Sequence, residues 1–249
     1  LFPDITYSFY KVWADLYRIS YETPALDENM AIRPLDYKGE NGGIIFPNPN
    51  APTGVYMPLD QVEEIVKANQ DVIVIVDEAY IDFAGPSARE LLSGYDNLLV
   101  VQTFSKSRSM AGVRIGFALG SPVLIKALND VKYSYNSYTM NLPSQLAGTQ
   151  AVKDRAYFEE TKAEIMDTRE RAKKRFAELG FTFPDSMTNF ILVTHERVPA
   201  RAIFDALKKE RIYVRYFNAP RLDNSLRVSI GTDEEMDALF RFLEQYLKE

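Results

Sequence analysis

Val72-Ile73-Val74-Ile75-Val76-Asp77-Glu78-Ala79-Tyr80 is the stretch on which the fold turns. Its unbroken β-branched run lacks the polar alternation of a half-exposed strand and suits one covered on both faces, as in a parallel sheet. Gly43-Ile44-Ile45-Phe46 and Leu98-Leu99-Val100-Val101 are runs of the same kind on either side. Between the first two, Pro58 to Ala68 carries Val62, Ile65 and Val66 at helical spacing behind an early proline. Strand, helix and strand in that order make a βαβ unit. A further strand over Gly116 to Leu119 leads into a helix over Pro122 to Asn129. Ligands of open α/β sheets bind beyond the carboxyl ends of the strands, which is where Asp77 falls.

Past residue 150 the character changes. Ala151 to Leu179 is highly charged, with Phe158, Ile165, Ala172, Phe176 and Leu179 on one stripe, and predicts one long amphipathic helix stopped by Gly180. Strand-like Asn189 to Val193, a helix over Pro199 to Glu210, strand-like Ile212 to Arg215 and Ser225 to Ile230, and a helix from Asp233 follow. The expectation is an α/β chain: a large domain over 1–150 with a mostly parallel sheet, and a small α+β C-terminal domain over 151–249. His195, in Val193-Thr194-His195-Glu196-Arg197, reads as a surface loop residue without a role.

Composition narrows the chemistry. Of 249 residues, 46% are hydrophobic and 26% charged, which excludes a disordered chain. The net charge of −6, with Lys and Arg scattered among acids, argues against a nucleic-acid partner. No apolar run approaches the roughly 20 residues of a membrane span. Cys is absent and His occurs once, which excludes disulfides, thiolate zinc sites, a cysteine nucleophile, two-His metal sites and His-based triads. No metal is expected, and the lack of Cys suits a reducing cytoplasm. What remains is Lys, Asp, Tyr, Arg, Ser or a cofactor.

Taken alone, Asp77 reads as a cap, as a ligand-binding acid, or as a Walker-B-like acid. The last reading calls for a GxxxxGK[ST] loop, which this sequence does not contain. Gln102-Thr103-Phe104-Ser105-Lys106-Ser107 follows the third buried run, and Met110-Ala111-Gly112-Val113-Arg114-Ile115-Gly116 comes next. Thr103, Ser105 and Arg114 can form a phosphate cradle with an amine beside it, and a lysine desolvated near other cations can form a Schiff base. Phe46-Pro47-Asn48-Pro49-Asn50-Ala51-Pro52-Thr53-Gly54 is a rigid turn after the first buried run.

In this order the motifs resemble the fold-type-I, pyridoxal-phosphate-dependent aminotransferases, of aspartate aminotransferase-like fold. Ile5-Thr6-Tyr7-Ser8-Phe9-Tyr10 and Leu226-Arg227-Val228-Ser229-Ile230-Gly231-Thr232 are similar to the histidinol-phosphate aminotransferase branch. The matching segments run from residue 2 to about residue 232, nearly the whole chain. The resemblance implies transamination between histidinol phosphate and 2-oxoglutarate in histidine biosynthesis, in a cytoplasmic homodimer that takes an amino donor and a 2-oxo acid. Related readings are an aromatic aminotransferase, a phospho-amino-acid decarboxylase, or a non-catalytic sensor domain of similar sequence.

The resemblance also assigns roles. Lys106 would form the Schiff base with the cofactor and move the substrate proton. Asp77 would pair with the ring nitrogen, a charge-assisted bond that keeps the ring an electron sink. Tyr80 would bond the ring hydroxyl and Tyr7 would stack on the ring. Thr103, Ser105 and Arg114 would hold the cofactor phosphate, Arg227 the substrate, and Arg215 the substrate phosphate. Two departures stand out. Ala51 stands where the family usually has an Asn that bonds the ring hydroxyl, so either Asn50 reaches in or Tyr80 bears that contact alone. The family also carries an arm and further βα units, with a Gly-Ser phosphate loop, ahead of the Tyr7 segment. The resemblance implies that this chain is the later part of such an enzyme, truncated at its N-terminus.

Overall fold

The first half holds α1 (Phe9–Tyr17), β1 (Ile44–Pro47), α2 (Leu59–Ala68), β2 (Val74–Asp77), β3 (Leu98–Thr103), β4 (Gly116–Gly120) and α3 (Pro122–Tyr135). The second half holds α4 (Leu142–Lys153), α5 (Arg155–Glu178), β5 (Phe181–Thr182), β6 (Phe190–His195), α6 (Ala200–Lys209), β7 (Arg215–Tyr216), β8 (Leu226–Ser229) and α7 (Asp233–Tyr246). The computed structural model describes residues 1–248.

β1, β2, β3 and β4 form a four-stranded sheet in that order. The first three strands are parallel, with Ile44 level with Val74 and Val74 level with Leu98. Their carboxyl ends therefore lie side by side, Pro47 opposite Asp77 and Asp77 opposite Val101. The apolar stripe of α2 (Val62, Ile65, Val66) packs on Phe46, Val74, Val76, Leu98 and Val100, all essentially free of solvent. Such burial, at roughly 25 cal/mol per Å² of apolar surface, is what fixes the sheet and its strand ends. β4 runs antiparallel to β3 and sets Gly116 against Thr103. The chain between them is drawn into a tight loop by Phe104 N–H to Ile115 O (3.1 Å) and Met110 N–H to Phe104 O (3.1 Å).

The second sheet is antiparallel, in the order β5-β6-β8-β7. Ala172 and Phe176 of α5, Ile203 and Leu207 of α6, and Leu239, Phe240 and Leu243 of α7 cover it. α7 starts in a reciprocal cap, with Glu235 N–H donating to Thr232 Oγ1 and Thr232 N–H to the Glu235 carboxylate. The single helix expected over 151–179 is broken at Asp154, whose side chain accepts from Tyr157 N–H (3.2 Å) and caps α5.

His195 is corrected too. It ends β6 with 3% of its surface exposed, its ring edge-on to Phe181 at 4.8 Å. Nδ1 accepts from the N–H groups of Arg197 and Val198, so Nε2 carries the hydrogen and donates to Leu179 O (3.1 Å). It pins the start of β5 to the end of β6.

The two sheets are joined at the Pro-Thr-Gly turn. Gly54 has φ +81°, and a Cβ there would lie 2.4 Å from Ser186 Oγ, so only glycine fits. Met187 N–H donates to Gly54 O (2.8 Å). Buried Arg169 of α5 donates to Phe83 O and Thr188 O, both at 3.1 Å, and so ties the segment after Tyr80 to the chain entering β6.

Candidate active site

Asp77, at the carboxyl end of β2, faces the protein with both oxygens engaged. Oδ2 accepts from the Tyr10 hydroxyl (2.8 Å) and Oδ1 from Ala79 N–H (3.1 Å). Burial pushes its carboxyl above the usual aspartate range, opposed by those two bonds and by the Lys106 charge. The neighbouring Glu78 points the other way. Its carboxylate accepts from Ser87 Oγ (2.5 Å), Ala88 N–H (2.6 Å) and Gln102 Nε2 (2.7 Å). Two adjacent acids thus divide the work, one aimed at the site and one anchoring the loop after Tyr80.

Lys106 lies past the end of β3, its Nζ 5.4 Å from the centre of the Tyr80 ring. The next residue, Ser107, is buried and donates to Asp82 (2.5 Å), which fixes the lysine loop to the segment after Tyr80. On the same loop Thr103 Oγ1 lies 2.9 Å from Ser105 Oγ and accepts from Ser105 N–H (3.1 Å). Arg114 is exposed, in a left-handed turn (φ 57°), and donates to Ala111 O (2.9 Å) within its own loop.

Tyr80 stands edge-on to Phe190 of β6, ring centres 5.1 Å apart. Phe190 in turn lies under the Arg227 guanidinium at 5.0 Å. The register of the second sheet sets Arg215 directly opposite Arg227. Arg227 Nε is buried without a hydrogen-bond partner among the described residues. Burial holds the Arg227 proton affinity below the usual arginine value, Tyr80 raises it and Arg215 lowers it further. Two like charges in register, one with an unused donor, call for an anion between them.

Tyr7, ahead of α1, is 46% exposed beside Phe9, Tyr10 and Trp13. Asn50 is buried, and both N–H groups are spent on Ile5 O (2.9 Å) and Thr53 Oγ1 (3.1 Å), while its oxygen accepts from Thr6. In this arrangement the side chain locks the Pro-Thr-Gly turn to the chain before Tyr7. Sequence reading passed over Tyr10, Glu78 and Ser107. The signal for Tyr10 was present in Tyr7-Ser8-Phe9-Tyr10, where a spacing of three brings two tyrosines together.

This donor set fits pyridoxal phosphate: an amine, a buried carboxylate with lone pairs to spare, a hydroxyl pair on the lysine loop, and unpartnered arginine donors for an acidic substrate. The sequence profile described as aminotransferase class I and II matches residues 1–243. The chain belongs to that family and is a pyridoxal-phosphate-dependent aminotransferase acting on an amino donor and a 2-oxo acid. Within the family it is similar to the histidinol-phosphate aminotransferase of Brachyspira hyodysenteriae, 49% identical over 248 residues, which are 99% of this chain and 70% of that protein. The histidinol-phosphate aminotransferase of Clostridium beijerinckii is 48% identical, with 98% of this chain and 68% of that protein covered. This chain thus spans about 70% of the length of such relatives. Among solved structures, the histidinol-phosphate aminotransferase of Clostridium acetobutylicum superposes with a TM-score of 0.91 at 25% identity, covering 98% of this chain and 76% of that one. That of Sinorhizobium meliloti, in complex with pyridoxal-5′-phosphate, superposes at 0.88 with 24% identity, covering 99% and 69%, and shares the fold. Among the described residues, no helix is long and apolar enough to cross a membrane.

Proposed function

We propose that the chain transfers the amino group of histidinol phosphate to 2-oxoglutarate in histidine biosynthesis. The observation that carries this reading is the pairing of Arg215 with Arg227 across β7 and β8, with the Phe190 and Tyr80 rings between Arg227 and Lys106. Such a pair suits a phosphorylated amino donor and, in the second half of the reaction, a dicarboxylic acceptor. The relatives at 47–49% identity support it by their names.

When bound, pyridoxal phosphate supplies a carbonyl for the amine and a ring that accepts electrons. The remaining work falls to side chains. Lys106 presents its amine and then carries the proton to and from the substrate carbon. Asp77 would hold the positive ring nitrogen through a charge-assisted bond. Tyr80 would bond the ring hydroxyl, alone if Asn50 keeps its bonds to Ile5 and Thr53. Tyr7 would supply an aromatic surface for the ring. Thr103 and Ser105 offer hydroxyls to the cofactor phosphate, and Arg114 joins them by leaving Ala111 O. Arg227 and Arg215 orient the substrate anions and hold the reacting carbon in place.

In the same reading, residues 1–150 form the large cofactor-binding domain and 151–249 the small one. The enzyme works as a cytoplasmic homodimer, with the exposed Phe9, Trp13, Leu16 and Tyr17 of α1 as part of its contact. The test is a substrate panel with the cofactor-loaded protein. Glutamate formation with histidinol phosphate well above that with histidinol or aromatic amino acids is expected. Carbon dioxide release from a phospho-amino acid, or no turnover on any donor, contradicts it.

A further inference from the structure

We infer that Tyr10 is a positioning residue for the reaction: its phenol O–H holds the Asp77 carboxylate ionised and aimed, so that the proton stays on the cofactor's ring nitrogen. This rests on the reading of Asp77 as that nitrogen's partner.

The geometry leaves the phenol no other task. Tyr10 sits in the first turn of α1 with 3% of its surface exposed, and its ring is wedged against Phe2 (6.1 Å), Tyr7 (5.6 Å) and Trp13 (6.0 Å). Held there by apolar packing, its hydroxyl meets Asp77 Oδ2 at 2.8 Å. An ionised carboxylate has about four lone-pair sites, of which Tyr10 and Ala79 N–H take one each, so room remains for the ring nitrogen.

The chemistry gives the contact a direction. A buried carboxylate drifts toward its neutral form, and a neutral acid cannot stabilise a positive ring nitrogen. The groups that face Asp77 are Tyr10, the Ala79 amide and Lys106, with Tyr7 beyond Tyr10. Lys106 is itself reactive, and its charge changes during turnover. Tyr10 is a constant donor, because burial and then the Asp77 charge raise its own proton affinity far above that of ordinary tyrosine. By stabilising the anion, it makes Asp77 the poorer base of the pair and leaves the proton on the ring.

The test uses the full chain loaded with pyridoxal phosphate carrying nitrogen-15 in the ring. The wild-type signal is expected at the protonated position. Tyr10→Phe keeps the ring packing and removes only the donor. It should move the signal toward the unprotonated position and weaken cofactor binding about tenfold. Tyr10→His, which returns an N–H donor, should bring the signal part of the way back. In an Asp77→Asn background, Tyr10→Phe should change neither reading. An unmoved nitrogen signal in Tyr10→Phe overturns the inference even if affinity falls, because affinity alone does not report where the ring proton sits. If borohydride instead traps no cofactor on Lys106 of the wild type, it is the site reading that has failed.

Discussion

Asp77, at the end of β2, satisfies its charge inside the protein with two donors, whereas Arg227, in β8, keeps a buried Nε with no partner among the described residues. The first lies where parallel strands end together and backbone loops supply donors. The second lies where an antiparallel register sets it against another cation, Arg215. In the proposed function, the charge that must be ready before a ligand arrives is held by the fold and the charges meant for a transient substrate are left open, so the parallel sheet would present the reactive groups and the antiparallel sheet the grip.

The largest effect that breaks this contrast is at Asp77. Asp77→Asn should lower turnover about a hundredfold or more, since a neutral amide cannot hold a positive ring nitrogen. Its effect on stability should have the opposite sign. The folded-state pKa is raised by burial, so the ionised carboxylate weighs against folding at neutral pH, and that penalty vanishes once both states are protonated below the usual aspartate range. Without cofactor, Asp77→Asn should therefore melt higher than wild type at pH 7, with the gap closing toward pH ~4. Thermal melts across that range check it, and a gap that widens at low pH contradicts the buried-anion picture.

Arg215→Leu comes next. It removes one side of the open pair and should weaken a phosphorylated donor by about ten- to a hundredfold, the value of one charge-assisted contact, while its phosphate-free analogue changes little. Equal losses in steady-state kinetics for the two donors would mean that Arg215 serves the strand rather than the substrate. The smallest effect is expected at Thr103. Its hydroxyl already bonds Ser105 and Ile115 O, so Thr103→Val should weaken pyridoxal phosphate only about fivefold in an equilibrium titration. A loss of a hundredfold would make Thr103 the main anchor of the cofactor phosphate.

Much of this was legible along the chain because it is local. Five β-branched residues followed by Asp77 define a covered strand with an acid at its end, and the fold needs little more. The hidden parts are those fixed by distant partners. Tyr10 meets Asp77 across 67 positions, which no spacing rule reports. The break at Asp154 reads as one more charge in a charged helix until its side chain is seen to accept from Tyr157 N–H. His195 stands among Thr, Glu and Arg, a neighbourhood that looks solvated, yet two backbone amides close over its ring nitrogen. Asn50 belongs with these: nothing in its motif tells that its amide bonds Ile5 O and Thr53 Oγ1.

The central claim is that Lys106, above Tyr80 and beside Asp77, is the amine that takes up the cofactor. Reducing the pyridoxal-phosphate-loaded protein with borohydride and mapping the peptides by mass spectrometry tests it directly. The account predicts a stable phosphopyridoxyl adduct on Lys106, absent from Lys106→Ala. An adduct carried by another lysine, with Lys106 unmodified, would contradict it.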